Sequence, residues 1–537
     1  MLRQEIIKLI EKAIKELRKE KKLSKFDIGK IQVECPENGI NGDYAANIAM
    51  AIAKIEKNNP MGTAENIKSQ ILNLKSGLFE KIEIAKPGFI NFFVSKEYLQ
   101  NQIGVILKQK ESFGKLRIGR GQKVNIEFIS ANPTGPLTVG NARGGPFGDV
   151  LGNVLKKAGF KVKKTYYVND YGMQILTLGH SVLKDEKAQY KGDYIDYLNK
   201  KIKEKDPYQA GKEAAEMIIK RMIKKTTDKM GIRFNEWIWE SEFHKSGAVD
   251  KVLEFLKSKN LIYKKEGALW FKSSKFGDSR DRVVRKQDGL KTYLAGDIAF
   301  HQYKFEKFDK AINVWGSDHS GDVAGLQAVA AALGHKGKLD IILLQFVTLS
   351  EGKEKLKMSK RLGVYVAMDT LLKEVGSDIV RFIFLQKSAG SHLNFDLSLA
   401  KEQSQKNPVY YIQYAFARIC SILKKYETEK NGEAITVSLI IQSSLCKFII
   451  HPTELELIKQ LLRFPEIIED TANDYQVQRL PQYALDLASA FHRFYRDCKV
   501  VSEGEDLTQA RLLLVFCVKI VLKNTLDLMG ISAPEKM

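Results

Sequence analysis

No apolar run in this 537-residue chain is long enough to cross a bilayer: stretches such as Ile341 to Leu344 or Leu512 to Val518 fall well short of the roughly 18 residues a span needs. Cysteine is scarce as well. The five thiols (Cys35, Cys420, Cys446, Cys498, Cys517) form no CxxC pair and are odd in number, so they indicate neither a zinc knuckle nor a disulfide framework and read as buried thiols. Only 12 prolines, with 44% hydrophobic and 28% charged residues, exclude a disordered or collagen-like chain. The Walker P-loop, the GxGxxG fingerprint and the HExxH pair are all missing, which removes the usual nucleotide and zinc signatures. Negative charge is in deficit. With 86 Lys and Arg against 64 Asp and Glu, the formal charge of +22 predicts a polyanionic partner, most simply nucleic acid, with a membrane surface as the rival.

What is present is enough chain for two to four domains. Met1 to Leu23 is rich in Lys and Glu, with Ile6, Ile7, Ile10, Ile14 and Leu17 at helical spacing; it reads as an amphipathic helix and not a signal peptide, so a cytoplasmic location is expected. Residues 1–100 read as a small α+β unit: a helix, a strand around Ile31 to Val33, a helix around Tyr44 to Ile55, and a strand pair ending in Pro87 to Phe93. From about 121 the texture becomes α/β. A strand at Val124 to Ile129, a long polar loop, a helix through Leu155 and a strand at Lys161 to Val168 are followed, much later, by Ala311 to Trp315, a helix Val323 to Leu333 and an apolar strand running from Ile341 to Leu349. The stretch of about 170–295 reads as an insertion into one sheet, inside a domain of 101–400. Residues 401–537 carry helical periodicity alone, as in Ala484, Leu487, Ala488 and Phe491, and predict a helical bundle. The Lys-rich runs at 15–25 and 200–229 read as solvated helix faces.

Two loops carry chemistry. Ser130 to Asn141 joins the first sheet strand to the next helix, where strand carboxyl ends and a helix amino terminus offer unpaired N–H groups to a phosphate. Gly140 admits a base or ribose close to the backbone, while Thr138 and Asn141 supply short neutral donors. An ordinary strand-to-helix turn has the same look. The second loop, Glu351 to Gly363, is hinged by glycines and holds Lys357, Lys360 and Arg361, which can fold over a triphosphate and neutralise charge growing on a leaving pyrophosphate. A solvated charge run is the plainer reading, and the loop's place downstream of the first loop on the same sheet argues against it.

The first loop resembles the HIGH motif, and Lys357-Met358-Ser359-Lys360 the KMSKS-type motif, of class I aminoacyl-tRNA synthetases. The resemblance is strongest to arginyl-tRNA synthetases of bacterial type and extends over nearly the whole chain: Gly42-Asp43-Tyr44-Ala45, Lys86 to Asn91, Trp315-Gly316-Ser317-Asp318-His319, Asn407 to Ala415, Ala490 to Tyr495 and Ser532 to Met537. It implies a Rossmann-type parallel-sheet catalytic domain between a small N-terminal α+β domain that binds the tRNA elbow and a C-terminal α-helical bundle that binds the anticodon. It implies arginine activation with ATP to arginyl-adenylate, then transfer to the terminal adenosine of tRNA(Arg), with Mg²⁺ accompanying ATP and no dedicated metal residues. A monomer without a membrane partner or an editing domain is expected.

By that resemblance Thr138, Asn141, Lys357 and Lys360 are catalytic, and Pro133, Gly135, Gly140, Met358 and Ser359 complete the ATP site. Glu127, Asp297 and Tyr293 would form the guanidinium pocket, Ser130 and Asn132 would hold the amino acid's other end, and Asp318 or His319 would lie near the ligand. Read without it, Tyr293 is a core residue and Asp297 the cap of a following helix. The usual HIGH motif carries two histidines where this chain has Thr138 and Asn141, neither of which can carry positive charge. Tyr410, Tyr414, Phe491, Arg493 and Tyr495 are candidates for stacking on splayed bases, with core packing as the alternative for the aromatic ones. A catalytically silent RNA-binding relative and another class I synthetase or nucleotidyltransferase are the competing functions.

Overall fold

The computed structural model describes residues 1–36, 39–352, 354–356, 367–429, 443–501 and 504–537. Its centre is a five-stranded, all-parallel sheet in the order Leu339–Leu344, Lys310–Gly316, Lys123–Phe128, Lys161–Val168, Glu236–Trp239. Val124 through Phe128 are buried without alternation, as a strand covered on both faces requires. The helix Gly144–Lys157 covers part of the sheet with Val150, Leu151 and Val154. The sheet is the Rossmann-type arrangement expected from the sequence, with strand order reversing between Lys123–Phe128 and Lys310–Gly316.

Three expectations need correction. The stretch 170–295 is only in part an insertion, because Glu236–Trp239 is the outer strand of the central sheet; what leaves the sheet is the helical arm before it and a three-stranded antiparallel sheet, Ile262–Lys265, Ala268–Phe271 and Arg282–Arg285, after it. The apolar run 341–349 is two strands in two sheets. It breaks at Gln345, whose N–H donates to Ala389 O at 2.9 Å and whose carbonyl accepts from Arg143, and Val347–Glu351 then pairs with Leu393–Asp396 and Glu354–Leu356. Tyr44 begins a strand and not a helix: Tyr44–Ala46 pairs with Phe89–Val94, and helix Ile48–Glu56 starts only after it. Sheet pairing there outweighs the helical spacing.

The first unit is an antiparallel sheet, Val33–Glu34, Tyr44–Ala46, Phe89–Val94, Phe79–Ala85, packed with helices Leu2–Lys19, Ile48–Glu56 and Pro60–Asn73. It leans on the helical tail, where Arg3 pairs with Glu469 and Asp470 at 3.0 and 2.8 Å, and Tyr44 donates to Glu466 at 2.9 Å. The tail contains helices Pro408–Glu429, Pro452–Leu462, Phe464–Asp474, Arg479–Asp497 and Glu505–Met529. Among the described residues no helix is long and apolar enough to cross a membrane.

Candidate active site

A cavity of about 640 Å³ opens at the carboxyl ends of Lys123–Phe128 and Lys310–Gly316, where the strand order reverses. The chain leaves the first of these strands through Ile129 and Ser130, whose φ values of 66° and 37° put two side-chain-bearing residues in the left-handed region. That conformation costs on the order of 1–3 kcal/mol per residue. It is held by Ser130 N–H donating to Phe128 O at 2.9 Å, by Tyr167 N–H donating to Ser130 Oγ at 3.1 Å and by Tyr166 donating to Ala131 O at 2.8 Å. The turn brings Ser130, Ala131 and Asn132 to the cavity wall.

The floor is acidic. Glu127, Glu240 and Asp297 all line the cavity. Glu127 and Asn313 are register partners on adjacent strands, and buried Lys304 donates to both, at 2.5 Å to Glu127 Oε2 and 2.8 Å to Asn313 Oδ1. Asn313 lies 2.9 Å from His301 Nε2, and His301 Nδ1 lies 2.8 Å from the Asp297 carbonyl, so one polar chain runs beneath the pocket. Burial draws the Lys304 ammonium below its ordinary range against the pull of Glu127, and burial beside Lys304 holds His301 well below its own.

Lys304 engages Glu127; among the described residues no Lys or Arg pairs with Asp297 or Glu240. Burial, with the Glu240 and Glu127 charges adding to it, pushes the Asp297 carboxyl well above the usual carboxylate range. Burial also raises Glu240, which is only 2% exposed and whose Oε2 has no hydrogen-bond partner. Gly296 faces it closely: a Cβ there would sit 2.5 Å from Glu240 Oε1 and would force the carboxylate to shift. The Tyr167 hydroxyl on the same wall is likewise buried and unpartnered. A planar cation with several N–H donors would satisfy these groups.

The other wall is the loop before the short helix Val139–Ala142. Thr138 caps this helix, accepting from Asn141 N–H at 3.4 Å while its hydroxyl donates to Asn141 Oδ1 at 2.6 Å. Thr138 has thus spent its proton on Asn141, which leaves the Asn141 amide N–H as the side-chain donor of the pair. Gly140 has open space around it. Arg143 lies beneath: its guanidinium donates to the carbonyls of Gln345, Ser391 and Ser388 at 2.5, 2.9 and 3.0 Å, and burial without a carboxylate partner draws it down to about 10. This cleft unites an acidic floor with a nucleotide-sized opening at a strand-to-helix loop.

Family profiles match along the chain: the N-terminal domain of arginyl tRNA synthetase over residues 4–94, the catalytic domain of class I tRNA synthetases (R) over 102–196 and 180–387, and the DALR anticodon binding domain over 412–537. The arginine–tRNA ligase of Acetivibrio thermocellus is 40% identical over 565 residues, covering 100% of this chain and 99% of the relative. The chain belongs to the arginyl-tRNA synthetase family. The arginine–tRNA ligase of Bacillus subtilis is 41% identical over 536 residues, covering 95% of each chain. The structure of Thermus thermophilus arginyl-tRNA synthetase, at 24% identity and 100% coverage of both chains, shares its fold with a TM-score of 0.77.

Most of the site residues expected for this arginyl-tRNA synthetase fold line one cavity: Glu127, Ser130, Asn132, Thr138, Gly140, Asn141, Tyr293, Asp297, Asp318 and His319. The bland readings of two of them fail. Tyr293 is 53% exposed and so is not core, and the helix Tyr293–Lys307 is preceded by Thr292 at its cap, with Asp297 inside it. Asp318 and His319 stand together at the mouth, exposed, with Asp322 beside them. Pro133 and Gly135 do not line the cavity: Pro133 is buried and Gly135 faces the Tyr194 ring, whose hydroxyl donates to Thr134 O at 2.9 Å. Lys357, Met358, Ser359 and Lys360 lie outside the described residues. Sequence reasoning missed Glu240, Tyr167, Asn169 and His301, all on the cavity wall. Glu240 directly follows Glu236–Trp239, Tyr167 lies near the carboxyl end of Lys161–Val168 and Asn169 just beyond it, so recognising the short aromatic run Glu236 to Trp239 as a sheet strand would have pointed to Glu240.

Proposed function

We propose that the protein is an ATP-dependent arginine–tRNA ligase, forming arginyl-adenylate and then esterifying the 3′-terminal adenosine of tRNA(Arg) in protein synthesis. One observation carries the choice of amino acid: Asp297 and Glu240, carboxylates on a buried floor, have no lysine or arginine partner among the described residues. A guanidinium supplies parallel N–H donors and permanent charge, so it relieves both, where a lysine ammonium offers only a point charge. Tyr293 closes the pocket at its mouth, while Ser130 and Asn132 hold the amino acid's α-amino and carboxylate end.

The chemistry is positioning. The substrate carboxylate is already a nucleophile, so no base is needed, and the cleft's task is in-line alignment on the α-phosphorus with stabilisation of the charge that develops. In this reading Gly140 and Asn141 meet the nucleotide, Thr138 orients Asn141, Lys357 and Lys360 draw charge from the departing pyrophosphate, and Mg²⁺ arrives with the ATP phosphates. The first unit, 1–100, and the tail, 401–537, carry the tRNA elbow and anticodon. In the tail Phe491 is fully buried and belongs to the core. Tyr410, Tyr414 and Tyr495 form a ladder with Arg418, whose guanidinium lies 4.8 Å from the Tyr414 ring and 5.2 Å from the Tyr495 ring. Such a ladder offers π-faces to unstacked bases. The reading includes a cytoplasmic monomer.

The test is charging of total tRNA with each labelled amino acid in turn, with and without ATP. Arginine alone is expected to be esterified, and only with ATP. Charging with another amino acid rejects the pocket assignment, and tRNA binding without product leaves the silent RNA-binding alternative that Thr138 and Asn141 raise.

A further inference from the structure

Behind Glu240 stands a histidine that the reading above leaves without a task. His244 lies one turn along the short helix Glu240–Lys245, its ring stacked on Tyr171 with centroids 3.7 Å apart and planes 11° from parallel. Its side chain is 7% exposed, and neither ring nitrogen has a hydrogen-bond partner. Burying two unmatched imidazole nitrogens costs free energy that an apolar side chain would not. The geometry shows where one of them is aimed. Nε2 is 3.6 Å from Glu240 Oε1, just outside bonding distance, while the other carboxylate oxygen, Oε2, is buried and also unmatched. Asp170, the acid nearby, accepts from Ser241 N–H and Oγ–H at 2.9 and 2.6 Å and is engaged there.

We propose that His244 is a positioning residue for amino-acid specificity, resting on the arginine reading of the cleft. A guanidinium engaging Glu240 Oε2 needs the carboxylate plane fixed, and a donor on Oε1 fixes it. A shift of less than about 1 Å brings His244 Nε2–H within hydrogen-bond distance of Oε1. The stack on Tyr171 orients the imidazole, and Gly296 opposite keeps the Oε1 side free of a Cβ. The result is a carboxylate held from behind by a ring N–H donor, which steadies its plane for the guanidinium.

The test compares H244F, H244Q and D297N in the full chain, measuring the KM for arginine and the KM for ATP in tRNA charging. H244F keeps an aromatic ring for the stack and loses the donor. It is expected to raise the arginine KM about tenfold, as loss of one hydrogen bond to a charged group predicts, with the ATP KM within about twofold. H244Q restores a donor and is expected to recover most of the loss. An unchanged arginine KM in H244F, or H244Q as impaired as H244F, overturns the assignment. If D297N raises the arginine KM while H244F does not, only the role of His244 falls. If D297N also leaves it unchanged, or the unaltered chain does not charge arginine, the pocket reading falls and takes this proposal with it.

Discussion

Two buried charge clusters sit on opposite sides of the central sheet's business, and they are built to different rules. In the first, Asp149 accepts from Lys164 at 2.6 Å and from Arg381 at 2.5 Å, while the remaining donors of Arg381 go to Met529 O at 2.7 Å and Met230 O at 2.8 Å. Lys164 also reaches Asn153, which in turn donates to Leu528 O at 3.0 Å, so the cluster ties the catalytic sheet to the last helix of the tail. In the cleft, Lys304 pairs with Glu127 and with neither of the other two carboxylates, and among the described residues Glu240 Oε2 and the Tyr167 hydroxyl are unmatched. The same residue type titrates in opposite directions. Burial alone would raise Asp149, but Arg381 and Lys164 hold it below the usual range; burial raises Asp297 and its neighbours Glu240 and Glu127 raise it further. Matched charge supports the architecture, and unmatched charge marks where a ligand completes the structure.

The contrast can be broken from either side. The largest effect is expected from Asp149→Ala, which strands two buried cations: a loss of about 3–5 kcal/mol in unfolding free energy by urea titration. Next, Asp297→Asn should leave stability unchanged or slightly improved, because it removes an unmatched buried carboxylate, yet raise the arginine KM about a hundredfold, the equivalent of roughly 2–3 kcal/mol of charge-assisted bonding, with far less change for ATP. Equal effects on both substrates would reject the assignment.

A pH series separates the clusters by sign. Since Asp297 is raised, acid favours its neutral form while a bound guanidinium favours the carboxylate, so the arginine KM should fall as pH rises through the raised value and climb as pH falls below it. Asp149 is lowered, so its stabilisation is complete above the ordinary carboxylate value of 3.8 and fades as pH falls through its lower folded value. An arginine KM that does not fall anywhere as pH rises above the ordinary carboxylate value of 3.8 would contradict the first half, and a melting temperature that rises on acidification the second. The smallest effect is expected for Asn153→Ala, about 1 kcal/mol by the same unfolding assay, with both KM values unchanged.

The sheet was legible because parallel strands buried on both faces leave uninterrupted apolar runs such as Val124 to Phe128, and the cleft because ligands gather where strand order reverses. Short elements were not. Tyr44–Ala46 is a strand only because Phe89–Val94 is there to pair with it, and the break at Gln345 exists because Arg143 and Ala389, distant in sequence, bind its backbone. Glu240 escaped notice for a related reason: four residues, Glu236–Trp239, are too few to announce a strand, and without that strand the glutamate has no address. The chain Glu127, Lys304, Asn313, His301 is likewise a product of register and helix phase, which no local pattern encodes. Asp297 and Tyr293 were found through family resemblance; composition and spacing alone favoured a helix cap and a core aromatic.

The central claim is that the unmatched acids of the cleft exist to receive a guanidinium. A crystal structure of the protein with L-arginine bound tests it most directly. The account predicts the guanidinium nitrogens within about 3 Å of Asp297 and Glu240, with the α-carboxylate turned toward the Thr138 to Asn141 loop. Arginine bound in the opposite sense, or a guanidinium contacting neither carboxylate, would contradict it.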